Sequence, residues 1–247
     1  MFHEKVKLEK QAAKFEDLAN ELMNRMILRS GQSDFRIAEL EFYYHDSKLH
    51  PDPYVHRNER QKLDGAFYFH GSGIDITFGA GEEGEVYGGA LIRSLIDLES
   101  EEVITGPLRV FDRLLNRGST LELRLQLVFG KSMKRQGFVQ SVRVMNLKKD
   151  DGSLGHESPE KVYFLKRYRF ILEEENLLKT LLESPPSPST HFLSCFIDPK
   201  EFPSLKTLLE EKTKFLEQSK FLEVKDKEGR RLFIERYRKD IDLSNSL

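Results

Sequence analysis

The sequence predicts an α+β fold, on three observations. Amphipathic helical stretches stand near both ends of the 247-residue chain, and between them lie short β-compatible runs separated by Gly, Asn and Asp turns. Strand and helix patterns interleave without a βαβ repeat or any fixed internal period. The length allows one large domain, or a domain with an appendage, and either can bury a substantial core.

Residues 6–29 space Leu8, Ala12, Phe15, Ala19, Leu22 and Met26 three and four apart among charged residues. That spacing predicts one helix, ending at Ser30-Gly31 as its cap. Phe35 to Tyr44 is short and rich in aromatic and β-compatible residues, so it reads as a strand. Pro51, Pro53, Asn58 and Asp64-Gly65 make 45–64 a loop with a helical turn. Strands follow at 66–70, 74–78 and 86–93. Leu108, Phe111, Leu114 and Leu115 predict a helix with Pro107 in its first turn. Residues 121–129, 138–145 and 162–171 read as strands. The run Ser184-Pro-Pro-Ser-Pro-Ser-Thr190 predicts a stiff linker. It divides the chain into an α+β core with its N-terminal helix (1–183), the linker (184–190) and a helical appendage (191–247) packing on the core. Leu205, Leu208, Leu209, Phe215 and Leu222 mark a helix over 204–222 in that appendage.

At 38% hydrophobic and 32% charged, with no apolar run of about 18 residues, the chain reads as a soluble protein. Met1-Phe-His-Glu-Lys-Val-Lys7 lacks a signal peptide's apolar centre, so the expected location is the cytoplasm, beside the nucleoid, or the nucleus. Cys195 is the single cysteine, which excludes an internal disulfide and leaves any zinc site to histidines and carboxylates. With a net charge of −2, nucleic-acid binding requires a local basic face. Candidate clusters are Lys131, Lys134 and Arg135; Arg143, Lys148 and Lys149; Lys166, Arg167 and Arg169 around Tyr168; and Arg230, Arg231, Arg236, Arg238 and Lys239.

Acidic, aromatic and histidine residues concentrate between residues 36 and 109. Glu41 and Tyr43 share a strand face because side chains alternate, so a carboxylate and a ring can line one pocket. Glu39 shares that face, and solvent exposure of an edge strand would explain both carboxylates equally. Arg93 interrupts an apolar strand, and a buried guanidinium needs a partner such as Glu39 or Asp75. His45, Asp46, His50, Asp52 and His56 supply metal-ligand chemistry, but their spacing on a proline-interrupted loop matches no metal motif. The glycines at 71, 73, 79, 81, 84, 88 and 89 follow no phosphate-cradle pattern and read as turns.

The order Glu39-Leu-Glu-Phe-Tyr43, His56, Ala66-Phe-Tyr-Phe-His70, Ala90-Leu-Ile-Arg-Ser-Leu95 and Gly106-Pro107 resembles the alkyladenine (3-methyladenine) DNA glycosylase family. That family carries a Glu-Thr-Glu-Ala-Tyr strand, a His-Ser loop, a tyrosine-rich strand, a Leu-Leu-Arg-Ala-Leu strand and a Gly-Pro helix start in the same order. The resemblance implies a single mixed, mostly antiparallel, curved β-sheet flanked by helices. It implies a monomeric DNA-repair enzyme acting on double-stranded DNA, without membrane, metal or cofactor. Such an enzyme flips a damaged purine, alkylated or deaminated, out of the duplex and hydrolyses its N-glycosidic bond. Glu41 would activate water, and Arg93 would orient that water or a phosphate. Tyr43, His56, Tyr68 and His70 would surround the base, and Asp75 would stand where the family selects it.

Three residues depart from the family's pattern. His70 replaces a tyrosine, Arg57 follows His56 where the family has serine, and Asp75 replaces an asparagine. An aspartate only accepts hydrogen bonds and repels phosphate, so base preference would differ. The C-terminal third has no counterpart. Two other classes fit the same residues: a nucleic-acid or nucleotide binding module without turnover, and a hydrolase of free modified nucleosides or nucleotides.

Overall fold

A computed structural model describes residues 11–79, 85–116, 125–130, 133–143, 163, 166–185, 188–194 and 196–218. Its elements, in order, are α1 (Gln11–Asn24), β1 (Met26–Ser30), β2 (Ser33–Asp46), a 3-10 helix (Glu59–Lys62), β3 (Asp64–His70), β4 (Gly73–Phe78), β5 (Val86–Asp97) and β6 (Val103–Thr105). Then come α2 (Pro107–Asn116), β7 (Leu125–Phe129), β8 (Phe138–Ser141), β9 (Arg169–Leu172), α3 (Glu175–Glu183), α4 (Pro188–Ser194), a second 3-10 helix (Pro203–Leu205) and α5 (Lys206–Gln218).

β2 is the spine of a curled antiparallel sheet. Strands run β3-β4-β5-β2-β1-β7, with β6 on β5, β9 on β2 and β8 on β9. On one edge β2 pairs with β5; on the other it pairs first with β1, then with β9 from Glu39 to Glu41. The change of neighbour falls where the β2–β5 register shifts, between Ile37 and Glu39 and again between Glu39 and Leu40. An irregularity of this kind bends a strand and re-aims its side chains. It explains why Ile37 and Leu40 are both core residues although simple alternation would part them.

Beyond that bend the faces separate cleanly. Leu40, Phe42 and Tyr44 of β2, Ile74, Ile76 and Phe78 of β4, Ala90 and Ile92 of β5 and Phe170 of β9 form the apolar face. α1 covers it with Phe15, Leu18, Ala19, Leu22 and Met23. Phe15 stacks on Phe42 at 4.9 Å between ring centres and meets Tyr168 edge-on at 4.6 Å. Each such ring contributes roughly 1.5–3 kcal/mol through burial. The opposite face of β2–β5 carries Glu41, Tyr43 and Arg93.

Several expected boundaries move. The first helix stops at Asn24, and Met26–Ser30 is a strand held between β2 and β7. Met26 and Leu28 are buried with Arg29 exposed, a pattern short enough to fit either period, and sheet pairing decides it. Gly31, expected as a helix cap, instead turns the β1–β2 hairpin with φ 59°, a conformation glycine adopts without strain. The predicted turn at 45–64 is the 3-10 helix, and the helix at Pro107 runs to Asn116.

α3 was not expected. Its cap is Glu174, whose carboxylate accepts from the amides of Asn176 and Leu177. Ser184 caps the end of α3 and Pro188 starts α4, so residues 188–190 of the expected linker are helical. Leu182 of α3, Leu193 of α4, Leu205 of the 3-10 turn before α5 and Leu209 of α5 join the same core cluster as the sheet. Of the expected elements, residues 6–10, 121–124, 144–145, 162, 164–165, 186–187 and 219–222, and Cys195 with them, lie outside the described residues. Among the described residues no helix is long and apolar enough to cross a membrane.

Candidate functional site

Register brings the predicted residues together. Glu41 pairs with Leu91, Tyr43 with Gly89, Leu91 with Asp75 and Asp75 with Tyr68. Cross-strand partners share a face, so Glu39, Glu41, Tyr43, Arg93, Asp75, Tyr68 and His70 all lie on the side away from α1. A cleft of about 260 Å³ opens there. Its rings are Tyr43, Tyr54, His56 and His70, its polar groups Gln61, Ser72, Asp75 and Arg93, and its apolar edges Leu91 and Pro107. This is just below the roughly 300–1,000 Å³ of pockets for drug-sized ligands, and suits one ring system.

Beneath the cleft runs a closed ionic chain. The Tyr43 hydroxyl donates to Glu41 Oε2 at 3.0 Å, and Arg93 Nη1 donates to the same oxygen at 3.2 Å. Arg93 Nε reaches Glu39 Oε1 at 3.2 Å, which also accepts Arg169 Nε at 2.6 Å, while Ser94 donates its hydroxyl to Glu39 Oε2. Two carboxylates and two guanidiniums balance. Burial opposes charge on both Arg93 and Glu39, but the opposite charges outweigh it: the Arg93 pKa rises and the Glu39 pKa falls. Burial and then Glu41 push Tyr43 well above the usual phenol range, so it remains a donor. Glu41 is fully buried and does not line the cleft, whereas Tyr43 and Arg93, which bond its carboxylate, do.

Asp75 occupies the wall. It is 3% exposed and accepts from His70 Nε2 at 3.0 Å on one oxygen and from Gln61 Nε2 at 3.1 Å on the other. The Ser72 amide donates to His70 Nδ1 at 3.2 Å, which assigns the ring's proton to Nε2. Gln61 is fixed in turn by the 3-10 helix, where its side-chain oxygen accepts the Asn58 amide in a capping box. Gly89 makes the arrangement possible: a Cβ there would lie 2.5 Å from Asp75 Oδ2 and 2.9 Å from Gln61 Nε2.

The rings depart from the expected sandwich. Tyr68 stacks behind His70 at 5.0 Å and 26° without lining the cleft, and His56 stands edge-on to His70 at 4.8 Å and 89°. A flat ligand does not fit between two rings that already touch. Its space is bounded by the histidine pair and by Tyr43 and Tyr54.

Behind those tyrosines lies a second ion pair that sequence reading missed. Arg143 Nη1 donates to Asp52 Oδ2 at 2.7 Å and to the Phe42 carbonyl at 3.2 Å, and Nη2 donates to the Tyr163 carbonyl at 2.9 Å. The guanidinium lies 4.8 Å from the centre of Tyr43, 5.6 Å from Tyr54 and 5.4 Å from Tyr168. Burial disfavours its charge, but Asp52 and Tyr43 prevail and its pKa rises. The prolines flanking Asp52 were its one sequence signal, since they stiffen the loop that presents it. His50 binds the same layer, donating Nδ1–H to the Tyr44 carbonyl at 2.8 Å and accepting the Tyr168 hydroxyl on Nε2 at 2.9 Å. His45 meets the Asp52 carbonyl. Among the described residues no three His, Cys, Asp or Glu side chains gather as a metal site.

The basic clusters are largely corrected. Arg143 and Arg169 face inward as buried ion-pair members, and Lys166 and Arg167 lie over the rings of Tyr163, Tyr168 and Phe196. Lys134 and Arg135 are exposed, whereas Lys131, Lys148, Lys149 and the cluster at 230–239 lie outside the described residues.

No family model matches the chain. It is 30% identical to uncharacterized protein L759 of Acanthamoeba polyphaga mimivirus over 167 residues, covering 53% of this chain and 77% of the viral protein. The chain therefore belongs to the same family as that viral protein.

Proposed function

We propose that the chain is a DNA glycosylase of the alkyladenine type, which hydrolyses the N-glycosidic bond of an extruded, damaged purine. One observation carries this reading: the buried Glu41 carboxylate, held by Tyr43 and Arg93, at the inner side of a ring-walled cleft sized for one base. Stacking on such rings contributes about 1–3 kcal/mol per base, which offsets extrusion. As the bond to the base lengthens, positive charge grows on the sugar, and Glu41 stabilises it electrostatically. Water then adds to the sugar carbon, its proton goes to Glu41, and the bonding electron pair leaves with the base. For this to happen Arg93 must release Glu41 towards the incoming sugar, with Glu39 holding its other nitrogen. A single positioned carboxylate suffices where the base is already a good leaving group. The reaction therefore favours bases that leave readily, alkylated purines foremost.

A second reading, a binding module without turnover, is favoured by the position of Glu41 behind Tyr43 and Arg93 rather than on the cleft surface. Excision of N3-methyladenine and of hypoxanthine from a labelled duplex, by wild type and Glu41→Gln, separates the two. The enzymatic reading expects the variant to lose about 10²- to 10⁴-fold in rate. Equal rates would remove Glu41 from the mechanism, and no cleavage by either protein would leave the binding module.

A further inference from the structure

We infer that β7 is a self-association edge, at which a second copy of this chain adds antiparallel and extends the sheet across a two-fold axis. β7 closes one end of the strand order and pairs with β1. Just past its end, the Gly130 amide donates to the Arg25 carbonyl at 2.8 Å, which fixes the phase of the ladder. Hydrogen-bonded and non-hydrogen-bonded positions alternate in an antiparallel pair, so Val128 and Gln126 direct their amides and carbonyls to Ile27 and Arg29. Leu125, Leu127 and Phe129 therefore turn theirs outward. Among the described residues no backbone group meets them.

Such a row of open donors and acceptors is a template for an extended strand, and sheets ordinarily blunt it with charges, prolines, bulges or short strands. β3, at the other end of the order, has an exposed Asp64 and a register shift between Asp64 and Phe67, and β6 is three residues long. β7 has no charge, no proline and no shift against β1. Its core-side face is only half covered. Leu125 and Leu127 pack partly on the core, but Phe129 on the same face is 64% exposed although its β1 partner Met26 is buried. The strand also matches itself. Turned antiparallel about Leu127, Leu125 faces Phe129 of the second copy, Leu127 faces its own equivalent, and all outward positions meet outward positions. A slip of one residue would set outward groups against inward ones. The exposed Phe129 thereby gains a leucine as its cross-strand neighbour. The cleft is lined from β2 to β5, so pairing at β7 leaves its lining untouched and the inference does not rest on the glycosylase reading. It departs from the monomer that the family resemblance implies.

Sedimentation equilibrium of the full chain over a range of concentrations tests it. Wild type should show a reversible equilibrium between one chain and two, with no larger species, because a two-fold contact closes on itself. Across the axis Gln126 faces Val128 of the second copy. A chain with Gln126→Lys and Val128→Lys therefore opposes like charges, as does one with Gln126→Glu and Val128→Glu. Each alone should dimerise about tenfold more weakly, and an equimolar mixture of the two should restore the dimer. Phe129→Lys, at an exposed position, takes the place of a double variant that fails to fold and should weaken the dimer by a similar factor. A single chain at every concentration would overturn the inference. So would a dimer that the charged variants leave unchanged, charged variants that stay apart when mixed, or open-ended association.

Discussion

Two layers of the same sheet face treat buried acids differently. Under the cleft, Glu39, Glu41 and Asp52 each meet a guanidinium, and Arg143 adds contacts to three tyrosine rings. On the wall, Asp75 meets the Gln61 amide and the His70 imidazole, and among the described residues no guanidinium or ammonium reaches it. The lower layer is electrically complete and shapes the floor by fixing Tyr43 and Tyr54. The upper layer holds its carboxylate through an amide and an imidazole rather than a guanidinium. The difference separates what the fold needs for itself from what a ligand can supply, and it predicts that substitutions in the two layers have unequal consequences.

The largest effect is expected at Arg143. Arg143→Met keeps much of the side-chain volume but strands the fully buried Asp52 carboxylate, at a cost of about 3–5 kcal/mol. Urea unfolding measures this directly. Adding Asp52→Asn to the same chain should restore part of the loss, because the stranded charge goes with it. A double variant no more stable than the single one would show that Arg143 acts through ring packing instead.

His50 gives a smaller, pH-dependent effect in the same layer. Burial lowers its pKa from 6.5 to about 4, against the pull of Asp52. The unfolded chain therefore takes up the proton first as pH falls. The His50 contribution is fully present above about pH 6.5 and is lost progressively towards pH 4, by about 3 kcal/mol. Protonation also ends the acceptance of the Tyr168 hydroxyl on Nε2. Plotted against pH, the unfolding free energy of wild type should fall more steeply over this window than that of His50→Gln. Parallel curves would place the proton uptake elsewhere.

How much of this was legible in the sequence follows from how local each interaction is. Alternation along β2 is local, and it put Glu39, Glu41 and Tyr43 on one face. The need of Arg93 for a carboxylate was also readable, since a cation inside an apolar strand demands one. The register shift at Glu39 was not, because it falls where β2 exchanges β1 for β9 along one edge while β5 holds the other. Asp52 and Arg143 stand 91 residues apart and meet only once the sheet has curled. Gln61 looked like loop, and its role appears only when the capping box aims its amide at Asp75. The inward turn of Arg143 and Arg169 was hidden for the same reason: a basic run looks alike whether it faces solvent or a distant acid.

The smallest effect should come from Asp75 itself, and it tests the comparison most sharply. Asp75→Asn cannot satisfy both neighbours as before, since one amide oxygen must serve donors that two carboxylate oxygens now serve. One lost hydrogen bond costs about 0.5–1.5 kcal/mol. The same substitution removes a buried charge that no guanidinium or ammonium among the described residues balances, which is a gain of similar size. The two nearly cancel, so thermal and urea unfolding should move by about 1 kcal/mol or less in either direction. Asp52→Asn, the identical chemical change one layer down, leaves Arg143 without its carboxylate and should cost several times more. Equal losses at the two sites would mean that an unseen counter-charge serves Asp75. The wall and the floor would then be one structural network.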